Sequence, residues 1–167
     1  LDRMGLIELP ASIGQLTQLL KLDLGDSAFQ FEPKNQLTKL PETFGQLKQL
    51  RSLDLSNNQL MILPESLGQL TKLESLKLSG NQLVTLPESL GHLTQLRSLD
   101  ISNNNLIALP DWISNLTQLE HLYLGSNRGG NPLVNLPEFL KQYFPHKHLI
   151  IFNSPAYIFL QIRRFAN

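Results

Sequence analysis

Leu63–Thr85 reads LPESLGQLTKLESLKLSGNQLVT, and most of the chain is this stretch repeated, interrupted or closed off. A fixed period settles an architecture before any single element does, because a unit that cannot bury its own apolar face must stack on its neighbours. Leu40, Leu63, Leu86 and Leu109 each precede a proline and stand 23 residues apart. Behind each one the same skeleton returns: Leu50, Leu53, Leu55, Asn58 and Leu60, then Leu73, Leu76, Leu78, Asn81 and Leu83. It returns again as Leu96, Leu99, Ile101, Asn104 and Leu106, and as Leu119, Leu122, Leu124 and Asn127.

Each column of the repeat has a physical reading. In Leu53-Asp54-Leu55 the alternation turns the leucines inward and Asp54 outward, which is the period of a strand. Stacked turns would place these strands in a parallel sheet about 4.8 Å apart. Asn58, Asn81, Asn104 and Asn127 fall where the chain leaves the strand. A side-chain amide there can donate to and accept from buried backbone groups, so a ladder of amides is expected. Leu-Pro-Glu then opens the return segment, with proline expected at the first helical position and Glu or Asp just inside the positive helix end. Gly45, Gly68 and Gly91 are expected to stop that helix after about one turn.

This LxxLxLxxNxL pattern runs in registered copies over nearly the whole chain and resembles the leucine-rich repeat family. The resemblance implies an α/β fold: a right-handed solenoid with a parallel concave β-sheet, short helices or 3₁₀ turns on the convex side, and a C-terminal helical cap. The LPESLG-type unit is similar to repeats of intracellular and bacterial proteins and to those attached to Roco GTPases. It lacks the cysteine-rich caps of secreted receptors and the catalytic cysteine domain of the bacterial leucine-rich-repeat ubiquitin ligases.

The 167 residues suit a single domain. Residues 1–9 read as a truncated repeat, with Leu1, Leu6 and Leu9-Pro10 matching Leu55, Leu60 and Leu63-Pro64. Such a start is expected to leave leucines uncovered and to invite association through that end, and it points to further sequence upstream. Residues 10–135 carry the repeats, with insertions within 25–36, which holds Phe29, Phe31 and Pro33, and within 125–132. Both insertions leave the stack between strand and asparagine, on one edge. Residues 136–167 hold a modified last repeat and the cap, with seven of the twelve aromatic residues. Trp112 and Phe139 replace the small Ser66 and Ser89 at one convex position, which suits packing under that cap.

Lys plus Arg and Asp plus Glu both number 14, so nothing in the balance favours nucleic acid or an anionic membrane. No apolar run is long enough to span a bilayer. The chain has no cysteine, which excludes disulfides and thiolate chemistry and favours a reducing, cytoplasmic setting. No GxSxG, HExxH or phosphate loop appears, so no enzyme activity and no cofactor is expected. His121 and His148 would lie in adjacent strands with His146 nearby, an incomplete metal-ligand set, so no metal is expected.

The candidate site is the concave face. Just ahead of the strands runs Arg51, Glu74, Arg97, Glu120, Lys147, alternating in sign so that each charge has an opposite neighbour. The outward columns are Lys21, Ser52, Ser75, Ser98, His121, His148 and Asp23, Asp54, Lys77, Asp100, Tyr123, Ile150. Small serines leave room in the middle, and the face turns aromatic and apolar toward its C-terminal end. The partner-binding candidates are therefore Arg51, Asp54, Lys77, Arg97, Asp100, His121, Tyr123 and His148, with Phe29 and Phe31 on the edge loop. A protein partner is expected. The alternative is a recognition or regulatory arm of a larger enzyme such as a Roco-type GTPase.

Overall fold

The computed structural model describes residues 4–25, 34–126, 129–134, 140 and 148–150. Five 3₁₀ turns, Ala11–Gln15, Glu42–Gln46, Glu65–Gln69, Glu88–His92 and Asp111–Asn115, alternate with three-residue strands. These strands are β1 (Lys21–Asp23), β2 (Ser52–Asp54), β3 (Ser75–Lys77), β4 (Ser98–Asp100) and β5 (His121–Tyr123). The insertion after β5 carries a small antiparallel hairpin, β6 (Gly125–Ser126) with β7 (Gly129–Gly130). β8 (His148–Ile150) completes a six-stranded parallel sheet in the order β1-β2-β3-β4-β5-β8.

The register is strict. Leu22, Leu53, Leu76, Leu99, Leu122 and Leu149 are paired in sequence across the sheet. Every fully described turn contributes buried leucines to one continuous core that runs from Leu9 to Leu140. Leu47, Leu70, Leu93 and Leu116 are buried, whereas Leu16, at the same position of the first turn, is 49% exposed. A leucine in this fold is covered by the turns on both sides of it.

The amide ladder forms as expected, and it is the strongest polar feature of the stack. Asn81 accepts from the Leu60 N–H of the preceding turn at 3.1 Å. It donates to Leu55 O of that turn at 3.0 Å and to Leu78 O of its own at 2.9 Å. Asn58 and Asn104 repeat this pattern. Two further members extend it among the described residues. Asn35 accepts from Leu6 N and donates to Leu24 O, and Asn131 accepts from Leu106 N and donates to Ile101 O and Leu124 O. Asn131, rather than Asn127, therefore holds this position in the turn that follows β5; Asn127 lies outside the described residues.

Two expectations about the convex side are corrected. Pro10, Pro41, Pro64, Pro87 and Pro110 are not the first helical residues but the extended N-caps before them, with ψ between 144° and 149°. Their carbonyls accept the first i+3 bond, as from Leu67 N to Pro64 O at 3.1 Å. Nor does the glycine column end the turn by adopting a left-handed conformation. A methyl group added to Gly68 would lie 2.3 Å from Ser89 O. Glycine is present because consecutive 3₁₀ turns press together, with the Ser66, Ser89 and Trp112 column against it. The 3₁₀ turns stop instead where Leu47, Leu70 and Leu93 turn inward at ψ 53–56°. Trp112 is buried in that column.

Two consequences are measurable by chemical denaturation. Asn81→Ala strands the Leu60 N–H in the core, while the Leu55 carbonyl keeps its bond from Asn58, and should cost about 1–3 kcal/mol. Gly68→Ala should also destabilise, by about 1–3 kcal/mol through overpacking. Ser66→Ala should be neutral or slightly stabilising, because the buried Ser66 hydroxyl has no hydrogen-bond partner among the described residues.

Candidate functional site: the concave face

Strand alternation places the expected columns side by side. Ser52, Ser75, Ser98, His121 and His148 are register partners in turn, and so are Asp54, Lys77, Asp100, Tyr123 and Ile150. Lys21 and Asp23 head the two columns. The structure thus brings Asp54, Lys77, Asp100, His121 and Tyr123 onto one face and sets the backbone of His148 beside that of His121. Phe29, Phe31 and Lys147 lie outside the described residues.

The charges ahead of the strands are divided into pairs. Arg51 bonds Glu74, and Arg97 bonds Glu120. No ion pair joins Glu74 to Arg97, so the continuous alternating ladder expected from the column is interrupted there. An open polar cleft of about 400 Å³ lies at that break, lined by Glu74, Arg97, Thr94, Gln95, Thr117 and Gln118. The pairing fits the chain's geometry, since a long arginine reaches the carboxylate one turn ahead across a single strand spacing.

Within the sheet, Lys77 Nζ lies 3.1 Å from Asp54. Burial alone would raise the Asp54 carboxyl, but the Ser56 hydroxyl and N–H, together with Lys77, outweigh it and hold it below its ordinary value. Lys77 is raised above its ordinary value, first through its bond to Asp54 and then by the charges of Asp54, Asp23 and Asp100, against a smaller opposing effect of burial. Asp23, Asp54 and Asp100 also receive the N–H two residues ahead, from Gly25, Ser56 and Ser102. These aspartates therefore shape the strand exit as well as facing solvent, a role the outward alternation alone does not reveal.

The C-terminal end differs. The rings of His121 and Tyr123 stack with centroids 6.3 Å apart and planes 7° from parallel. They form a flat, half-buried surface beside Ser98 and Asp100. Asp100 is bonded through one oxygen to Ser102 N and Oγ, and no ion pair to it is found among the described residues. No group of three His, Asp or Glu side chains suited to a metal ion is found among the described residues. No helix among them is long and apolar enough to cross a membrane.

Comparison with known proteins agrees with this geometry. Residues 36–141 match the family model of a leucine-rich repeat region. The chain is similar in structure to an internalin from Listeria monocytogenes, with a TM-score of 0.62 and 28% identity over 78% of this chain. It is also similar to a leucine-rich repeat protein of Leptospira interrogans, with a TM-score of 0.51 and 28% identity over 92% of this chain. A third similar structure is the repeat ectodomain of the receptor kinase SOBIR1 from Arabidopsis thaliana, at a TM-score of 0.58 and 29% identity over 69% of this chain. The chain spans 34% of the internalin, 53% of the Leptospira protein and 62% of the SOBIR1 ectodomain. No curated protein sequence matches it.

The Asp54–Lys77 pair gives a pH test. A lowered Asp54 contributes stability that is present above its ordinary value of 3.8 and is lost as pH falls through the lower folded value. The raised Lys77 contributes below its ordinary 10.5, and that contribution is lost as pH rises through the higher folded value. Asp54→Asn should therefore be less stable than wild type at neutral pH. The difference should shrink as the pH drops below about 3.8, measured by denaturation at matched salt.

Proposed function

We propose a protein-binding role from one premise: the chain belongs to the leucine-rich repeat family. In this family the concave sheet is the usual contact surface, and the one here has the chemistry for it. Its charged residues are largely compensated by one another, which disfavours a phosphate backbone and favours a partner of mixed surface. The single observation that carries the reading is the stacked His121–Tyr123 pair, a rigid half-buried platform with the Asp100 carboxylate beside it. Tyrosine supplies contact area at little entropic cost and is enriched where binding energy concentrates.

The footprint we assign centres on Asp100, His121 and Tyr123 and extends to His148 in the next strand. Arg51, Asp54, Lys77 and Arg97 form a charged surround whose pairs a partner would bridge or exchange; Phe29 and Phe31, of the first insertion in the sequence, lie outside the described residues. No reaction is assigned to the chain. A recognition arm of a larger enzyme, such as a Roco-type GTPase, is a second reading, and the similarity to a receptor-kinase ectodomain supports its coarser form. A catalytic domain in the same open reading frame would favour that reading.

His121→Ala with Tyr123→Ala should reduce capture of the native partner from source-cell extract by at least about tenfold, since hot-spot truncations cost about 2 kcal/mol or more. Ser66→Ala, on the convex side, should leave capture unchanged. Quantitative mass spectrometry of the captured proteins gives the comparison, and equal recovery with the double variant would move the footprint elsewhere.

A further inference from the structure

The edge of the stack that follows the asparagine turns has an unusual surface. Backbone bonds hold successive turns together there, from Gln59 N to Leu37 O, Gln82 N to Leu60 O and Asn105 N to Leu83 O, each 2.9 Å. The residue after each inward leucine therefore forms a column: Ile7, Thr38, Met61, Val84, Ile107 and Val134. All but Thr38 are large exposed hydrophobics, and Ile62 adds a neighbour that is 67% exposed. The surroundings carry no charge. Leu55–Pro64, Leu78–Pro87 and Ile101–Pro110 contain no Asp, Glu, Lys or Arg. The exposed residues flanking the column are Gln59, Gln82 and Asn105 on one side and Thr85 and Ala108 on the other. Charge returns in the turns on either side, where Lys39 lies 3.9 Å from Glu8 and where the insertion ahead of Val134 includes Arg128 in its sequence. The charged pairs of the concave face lie before or within the strands, away from this edge.

We propose that this edge pairs with the same edge of a second copy of the chain, antiparallel, about a two-fold axis at Val84. A two-fold contact brings each residue onto its own symmetry partner or onto a residue equally far from the axis. Any concentrated charge would meet like charge there, and three consecutive turns without charge remove that repulsion. The spacing matches as well, because both columns repeat at the same interval of about 4.8 Å. With the axis at Val84, Met61 faces Ile107 of the second copy, and the Thr38 turn faces Val134. The Glu8–Lys39 pair stays at the rim. An exposed apolar column of a few hundred Å² is large enough to mark a contact site. It is smaller than the roughly 800 Å² per partner of a standard interface, so the dimer is weak and depends on concentration.

The test is sedimentation of the whole chain over a concentration series, with cross-linking. Wild type should shift from monomer toward dimer as concentration rises. Met61→Lys, at a position 58% exposed and hence tolerant of substitution, should weaken the dimer at least about tenfold with an unchanged circular dichroism spectrum. Because the chain has no cysteine, Val84→Cys provides a single thiol, and it should form a disulfide-linked dimer on mild oxidation. Val134→Cys should not, since the two Val134 positions would lie about 19 Å apart, four turn spacings, beyond disulfide reach. Four results would overturn the proposal: a wild type that stays monomeric throughout; a Met61→Lys dimer as tight as wild type, which would place the contact elsewhere, as at the exposed Leu16 and Leu20; Val134→Cys linking as fast as Val84→Cys; or a monomer that loses capture of another protein on Met61→Lys, which would assign the edge to that protein.

Discussion

Stacking buries backbone as well as leucines, and the backbone is the harder group to accommodate. At each strand exit the chain turns inside the stack, where its N–H and carbonyl groups cannot reach water, and leaving one unbonded costs about 1–3 kcal/mol. One asparagine per turn resolves this by accepting from the turn before and donating both to that turn and to its own. Because the accepted bond and one donated bond join consecutive turns, the spacing from asparagine to the next inward leucine is held fixed. The insertions obey this limit. Leu24 reaches Asn35 and Leu124 reaches Asn131 through extra residues, yet Asn35-Gln36-Leu37 and Asn131-Pro132-Leu133 keep the ordinary interval. Extra chain is accepted before the amide and not after it.

A second close contact operates on the opposite side. The 3₁₀ turns approach until a methyl group at the glycine position would overlap the next turn's backbone. Glu65 strengthens the same seam. Its carboxylate accepts the Ser89 N–H at 3.1 Å, and this contact with Ser89 holds it below its ordinary value. The seams on both sides of the core are thus set by short-range contacts between consecutive turns, as expected for a stack in which each repeat is stable only through its neighbours.

The solenoid, its sheet register and its leucine core were legible in the sequence because each follows from a period. What was misread involves contacts between turns, which a period does not display. Counting forward from the strand leads to Asn127, whereas counting two residues back from the next inward leucine leads to Asn131, and the same count finds Asn35. Gly68 read as a helix terminator because its neighbour Ser89, 21 residues ahead, is invisible to local reasoning. The concave columns were legible as positions, but the division of their charges into discrete pairs depends on side-chain reach. The apolar edge was missed because inward and outward positions were assigned only along the strands. Its signal is nevertheless present in Met61, Val84, Ile107 and Val134, at one repeat position.

The two surfaces therefore differ in the kind of partner they can accept. On the concave face, Arg51, Lys77 and Arg97 already have acidic partners, so an incoming charge competes with an existing pair and gains little unless it also displaces water from His121 and Tyr123. Specificity there rests on the uneven C-terminal end, where the repeated serine gives way to histidine and Asp100 lacks a paired cation among the described residues. The edge has no such unevenness across three turns. A uniform surface discriminates poorly among registers, but a two-fold contact needs only one register, because symmetry fixes both copies once one turn is matched. An uneven face suited to a different protein and a uniform edge suited to itself can thus coexist on one stack without competing for the same residues.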